Sequence, residues 1–176
     1  MTNKTSVTVR RATPADAGAI AEIGVRGWQA AYRGIMPADF LAGLSVPARE
    51  AAWQSMLSSD ADGDAPAWVA DRDRETVGFV ASGPPRDEDV PLPAAEVYAI
   101  YVLPGEWRGG SGRALLTATV DHWLDRGATS LVLWVLEANS GGRAFYEAMG
   151  WQWDGHRKDI DFGGFRTPEL RYRRTG

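Results

Sequence analysis

The chain has 176 residues, 44% of them hydrophobic with eight tryptophans, which fits one domain able to bury a core without disulfide or metal staples. Its 19 basic and 23 acidic side chains leave a net charge of -4, so the broad positive field that draws proteins to nucleic-acid phosphates is missing. There is no cysteine, which excludes a disulfide scaffold and a cysteine nucleophile, and two histidines far apart, His122 and His156, are a poor basis for a metal site or a serine triad.

The first residues, MTNKTSVTVRR, lack an apolar signal core. No later stretch reaches the roughly 20 apolar residues that span a bilayer, so a cytoplasmic protein without a membrane partner is expected. Apolar and polar residues alternate over 7–11 as in a half-buried strand, and Thr13-Pro14-Ala15-Asp16 then marks a helix start. Ile20, Ile23 and Trp28 lie at near-helical spacing, which predicts a helix over 14–32 closed at Arg33-Gly34. Short helices follow over 38–44 and 47–57, then a polar turn over 59–64. A strand over 67–70, a charged hairpin tip over 71–75 and a second arm over 76–81 come next.

Residues 83–93 hold four prolines and the acidic run Asp87-Glu88-Asp89, the composition of a mobile loop. A strand over 96–102 stops at Pro104-Gly105, and a glycine cluster leads into a helix over 113–125 with Leu116, Val120, Trp123 and Leu124 on one stripe. The apolar run over 131–136 predicts a strand, 142–149 a short helix ending at Gly150, Trp151 onward a strand, and 170–174 a last one. This order predicts an α/β domain, α+β mixed, with a mixed sheet and helices on both faces, one domain over 1–176 with its core at about 7–174.

The most informative stretch is Trp107-Arg108-Gly109-Gly110-Ser111-Gly112-Arg113, between a strand and a helix. Glycine there lets backbone approach a ligand, and amides at a helix start, with the positive end of its dipole, suit a phosphate. A tight strand–helix connection would use the same residues. Gly105 and Gly110 have the spacing of a Walker loop, but Ser111 stands where its lysine belongs. A dinucleotide fingerprint begun at Gly110 and Gly112 would need its third glycine at Leu115.

The stretch resembles the coenzyme A loop of the GNAT superfamily of N-acetyltransferases, Arg/Gln-x-x-Gly-x-Gly/Ala, entered from a strand like Tyr98-Ala99-Ile100-Tyr101-Val102-Leu103-Pro104. Gly110 and Gly112 fill its glycine positions, while Trp107 stands where the family carries Arg or Gln and Arg108 follows. Asn139-Ser140-Gly141-Gly142-Arg143-Ala144-Phe145-Tyr146-Glu147-Ala148-Met149-Gly150-Trp151 resembles a second family segment in the expected order. The resemblance implies a central mixed, mostly antiparallel sheet and acetyl-coenzyme A as co-substrate, with no metal.

It also assigns roles. Backbone from Arg108, Gly109, Gly110, Ser111, Gly112 and Arg113 would hold the pyrophosphate. Backbone at Ile100, Tyr101 and Val102 would hold the pantetheine and thioester carbonyl, with Asn139 on the pantetheine amides. Tyr146 matches the family tyrosine that hydrogen-bonds or protonates the coenzyme A sulfur, a task for an uncharged donor. Glu96 stands where some members keep a glutamate as general base, with Tyr98 as an alternative proton relay. Trp28, Tyr32, Arg33 and the Asp87-Glu88-Asp89 loop would line the acceptor site. The expected partner is a small-molecule amine or a peptide amino terminus, and a homodimer is compatible with it. A non-catalytic acyl-coenzyme A sensor on the same fold is the alternative, and a nucleotide-binding regulatory domain is disfavoured by the failed spacings.

Overall fold

The computed structural model describes residues 6–60 and 63–176, so Ala61 and Asp62 of the expected 59–64 turn lie outside the described residues, as do the first five. Among the described residues seven strands form: β1 Thr8–Arg11, β2 Ala67–Arg72, β3 Glu75–Gly83, β4 Ala94–Val102, β5 Ser130–Leu136, β6 Gln152–Phe162 and β7 Phe165–Thr175. Five α-helices accompany them there: α1 Ala17–Ala31, α2 Ala38–Ala42, α3 Val46–Ser59, α4 Ser111–Asp125 and α5 Ser140–Ala148. The strands make one sheet in the order β1-β2-β3-β4-β5-β7-β6. Every neighbouring pair is antiparallel except β4 with β5, which gives the mixed, mostly antiparallel sheet that was expected.

Local chemistry explains the boundaries. The helix expected from Pro14 opens as a 3-10 turn, Pro14–Asp16, before α1 begins. The Asp16 carboxylate accepts from the Thr13 amide at 2.7 Å and from both terminal nitrogens of Arg10, whose hydrogen bonds chiefly lower its pKa to about 2. The hairpin tip is tighter than its charges suggested. Asp71 and Arg72 pair with Thr76 and Glu75, leaving Asp73 and Arg74 to turn at φ 52 and 70, a two-residue connection that suits the strand twist.

The sheet separates two bodies of core. On one face Leu115, Leu116 and Val120 of α4 pack with Leu131, Leu133, Trp151 and Tyr172. On the other, Ile20 and Ile23 of α1 pack on Val69 and Phe79, and Leu136 meets Met36 and Leu41. Among the described residues no helix is long and apolar enough to cross a membrane.

One irregularity positions the site. Val97 pairs with Ser82 and Ala99 with Ala81, so Tyr98 is an extra residue bulging from β4. Pairing between β4 and β5 runs only from Ala94↔Ser130 to Val97↔Leu133, whereas β5 stays paired with β7 as far as Leu136↔Glu169. The two parallel strands therefore part in mid-sheet. Residues 94–97 are buried and 98–102 half-buried, as an opening beside the strand requires.

Candidate active site

Beyond Val97, the backbone groups of β4 that face away from β3 have no strand to pair with. Ile100, Tyr101 and Val102 lie on this stretch. The Val102 carbonyl is taken by the indole N–H of Trp107 at 2.9 Å, so the residue that departs from the family pattern fastens the loop to the end of β4. The Tyr101 ring packs where a β-carbon on Gly27 would stand 2.8 Å from it, so only glycine lets α1 come this close.

The loop after β4 ends in a helix start with exposed donors. Arg108 and Gly110 take φ 61 and 94, and the first α4 amide bonded back is Ala114, to the Gly110 carbonyl at 3.0 Å. The amides of Ser111, Gly112 and Arg113 are thus left for a ligand at the positive end of the helix. A β-carbon on Gly110 would meet nothing within 4 Å, which leaves space at the cradle, and its φ is one that other residues enter at a cost. One member of the expected set drops out. The Gly109 amide donates to the Glu106 carbonyl at 3.1 Å, and the Gly109 carbonyl accepts from Arg72 at 2.7 Å, so Gly109 builds the turn. Ser111 is fully buried, and Gly112 and Arg113 are the more accessible members of this helix start.

Asn139 caps α5, its Oδ1 accepting from the Gly142 amide at 3.0 Å, which leaves its NH₂ as the group free for a ligand. On α5 the half-buried Tyr146 packs with Phe145, Trp151 and Tyr172. Burial holds its phenol well above the ordinary tyrosine pKa and the nearby Tyr32 adds to this, while no hydrogen bond occupies its hydroxyl among the described residues. Tyr146 belongs to the α4 side of the sheet and Tyr32 to the α1 side. Tyr32 nonetheless lies near enough to raise the Tyr146 pKa further.

Tyr32 closes this group from the other side. Its hydroxyl lies 3.0 Å from that of Tyr101, and Trp28 stands edge-on to it with ring centroids 5.0 Å apart. Trp28 also meets Phe40 and Phe162, so an aromatic wall rises from the end of α1 to the β6–β7 hairpin. Arg33 is exposed on the turn after α1, outside that wall.

Glu96 does not sit as a free base would. It is fully buried, one oxygen accepting from the Arg86 backbone amide at 2.8 Å and the other from two nitrogens of the Arg86 guanidinium. The Tyr98 hydroxyl donates to the Pro84 carbonyl, and its ring lies under Arg86 at 4.8 Å, so the expected relay is also committed. The acidic loop is pinned down: Asp87 and Asp89 both accept from Arg171, a residue only 1% exposed. Arg72, Arg86 and Glu169 were missed from the sequence. Glu169 alone carried a signal, an acid immediately before the stretch 170–174 read as strand.

The two central parallel strands part beyond a bulge, with a helix start following one of them and Tyr146 on the helix that follows the other, the arrangement expected from the resemblance to N-acetyltransferases. The family model described as acetyltransferase (GNAT) family matches residues 28–151, and the chain belongs to that family. It is 36% identical over 143 residues to the uncharacterized N-acetyltransferase YuaI of Bacillus subtilis, covering 81% of this chain and 78% of that one. Its fold is that of the PaiA N-acetyltransferase of Thermoplasma acidophilum, solved with coenzyme A, at TM-score 0.78 and 18% identity over 97% of this chain and 99% of the other. A ribosomal-protein-alanine N-acetyltransferase of Brucella melitensis follows at TM-score 0.74 and 22% identity, with 96% and 99% covered.

Proposed function

We propose that this N-acetyltransferase moves the acetyl group of acetyl-coenzyme A directly to a primary amine, with Tyr146 as the acid for the departing sulfur. The observation that carries the proposal is the Tyr146 hydroxyl, without a hydrogen-bond partner among the described residues, on the same side of the sheet as the free amides at the start of α4. The amides of Ser111, Gly112 and Arg113, with those of Arg108 and Gly110, would hold the pyrophosphate. The unpaired backbone of β4 would orient the pantetheine as an added strand does. A phenol whose pKa burial has raised keeps its proton until negative charge develops on sulfur, and then gives it up.

The acceptor reaches the opening past Trp28 and Tyr32, where aromatic faces favour a cationic amine. Small amines and peptide amino termini both fit that description. The likeness to a ribosomal-protein-alanine N-acetyltransferase is the reason to include the second class. The test is a panel of polyamines and short peptides with free amino termini, followed by release of free thiol. Tyr146→Phe should lower kcat by about 10²-fold, at the lower end of what general acid catalysis contributes, while acetyl-coenzyme A binds nearly as well. Binding of acetyl-coenzyme A without acceptor-dependent thiol release would favour a sensor on the same fold.

A further inference from the structure

Glu169 stands out among the carboxylates of the molecule. It lies on β7 opposite Leu136, at the last pair that β5 makes beside the opening. Leu136 faces Trp28, Tyr32 and Met36, and residues opposite one another on antiparallel strands share a face. The Glu169 carboxylate therefore points to the acceptor side. The residue is 7% exposed, and its nearest cation, Lys158 of β6, stays at 3.6 Å, beyond hydrogen-bond length. No hydrogen bond under 3.5 Å reaches its oxygens among the described residues, and neither oxygen is wholly sealed from solvent without a partner. Its carboxylate thus keeps hydrogen-bonding capacity that solvent or a ligand can fill, with Lys158 opposite it on β6 as its ion-pair partner.

Its surroundings place it with the reacting groups. Glu169 acts electrostatically on Tyr32, which in turn touches Tyr101 and influences Tyr146. Arg86 and Asp87 face it from the loop before β4 and Lys158 from β6, while Trp134, on the same face, is covered by Lys158 at 3.8 Å. Glu96, the residue expected to be the base, spends both oxygens on Arg86. Burial raises the Glu169 pKa against the opposing pull of Lys158, which moves a carboxyl towards the range where it can give and take protons near neutrality.

We infer that Glu169 is the catalytic base of the acetyl transfer, receiving the acceptor's ammonium group beside Tyr32 and taking its proton. The assignment rests on the transfer reading above. One proton passes from the ammonium to the carboxylate, and the neutral amine then attacks the thioester carbonyl. The new C–N bond forms, the C–S bond breaks, and the sulfur leaves with the Tyr146 proton. The extra proton on the new amide nitrogen restores the tyrosine, and Glu169 releases its own to solvent, so the sum is amide, free thiol and one proton.

The test compares wild type, Glu169→Gln and Lys158→Met on an amine that the panel identifies. Glu169→Gln should lower kcat/KM by about 10²–10³-fold at pH 7, with the loss shrinking as rising pH deprotonates the amine without help. Calorimetry should show acetyl-coenzyme A affinity unchanged and amine affinity for the coenzyme A complex reduced at least about tenfold. Thermal stability at neutral pH should hold or rise, since an amide replaces a charge that burial disfavours, whereas a merely structural carboxylate would lose stability. If Glu169→Gln fails to fold, Lys158→Met carries the test. Removing the cation should move the acid limb of the kcat/KM profile to higher pH.

A wild-type pH profile and amine affinity in Glu169→Gln would overturn the assignment, as would an unmoved acid limb in Lys158→Met. Either result on an active enzyme sinks Glu169 alone. A wild type that binds acetyl-coenzyme A and acetylates no amine sinks the transfer reading, and the role of Glu169 with it.

Discussion

Glu96 and Glu169 occupy the same face of the sheet, since Glu96 lies beside Val132 and Glu169 beside Leu136, four residues apart on β5. Their surroundings differ in one respect that decides their chemistry. Arg86 meets Glu96 through its guanidinium and its backbone amide, whereas Glu169 has only the looser 3.6 Å ion pair with Lys158, opposite it on β6. Glu96 thereby fixes Arg86 and the start of the 83–93 loop, a positioning task. The Arg86 side chain is 64% exposed and can return to water when its partner is neutralised, so Glu96→Gln should cost about 1–3 kcal/mol in urea unfolding, less than breaking a fully buried pair. The shape of the kcat/KM profile should survive. A Glu96→Gln enzyme whose acid limb disappears would return the role of base to Glu96.

At the scale of elements, the opening between β4 and β5 needs both the Tyr98 bulge and a firm loop into α4. Arg72, on β2 two strands away from β4, supplies the firmness by donating to the Gly109 carbonyl at 2.7 Å and pairing with Glu106 at 3.0 Å. Arg72→Met keeps the length of the stem and removes both contacts. Coenzyme A affinity, measured by calorimetry, should fall about tenfold, the worth of one charge-assisted hydrogen bond that holds the cradle in place. Unchanged affinity would show that the loop holds its form without Arg72.

The sequence made much of this scale legible, and the reason is local. Alternation, helix stripes and glycine stops are written in neighbouring residues, so α4, α5 and the strands before them fell close to their expected places. The β6–β7 hairpin was less legible. Only its start at Trp151 and its end over 170–174 were expected, because β6 is an edge strand with mostly exposed residues and Pro168 interrupts the pattern of β7. The proline is tolerated because its carbonyl still accepts from the Glu137 amide at 2.9 Å, past the end of β5. In the site, the loop amides and Tyr146 could be anticipated from their motifs. The Arg86–Glu96 pair and the setting of Glu169 are made by contacts between strands far apart in sequence, which no short spacing reveals.

For the molecule as a whole, the proline-rich segment over 83–93 is tied to the sheet through Arg171. This arginine of β7 is almost wholly buried, and it donates to Asp87 at 3.2 Å, to Asp89 at 2.7 and 2.8 Å and to Asp154 at 2.7 Å. Hydrogen bonds from Arg171 chiefly lower the Asp89 pKa to about 2, from 3.8. Asp87 and Asp154 are also lowered: burial is the largest single effect and raises them, but it is outweighed by several partners together, Trp134, Arg171 and Lys158 for Asp87, and Arg171 and His156 for Asp154. A carboxylate whose pKa is depressed by folding adds stability above its unfolded pKa and loses it as pH falls through the folded value. The contribution of this cluster should therefore be complete above about pH 4 and fade towards pH 2. Arg171→Met keeps an unbranched stem of similar reach but removes the main cation from Asp87 and Asp154, which are only 20% and 11% exposed at their side chains and keep Trp134 and Lys158, and His156 and Arg173, as lesser partners. It should cost about 3 kcal/mol at pH 7, the lower part of the range for breaking a buried pair, because the half-exposed Asp89 can return to water. Urea unfolding of both proteins across pH 7 to 2 measures this directly. The gap between them should narrow steadily below pH 4 as protonation removes the charges that Arg171 holds, and a gap that stayed constant to pH 2 would mean that packing, and not the ion cluster, fastens the loop to the sheet.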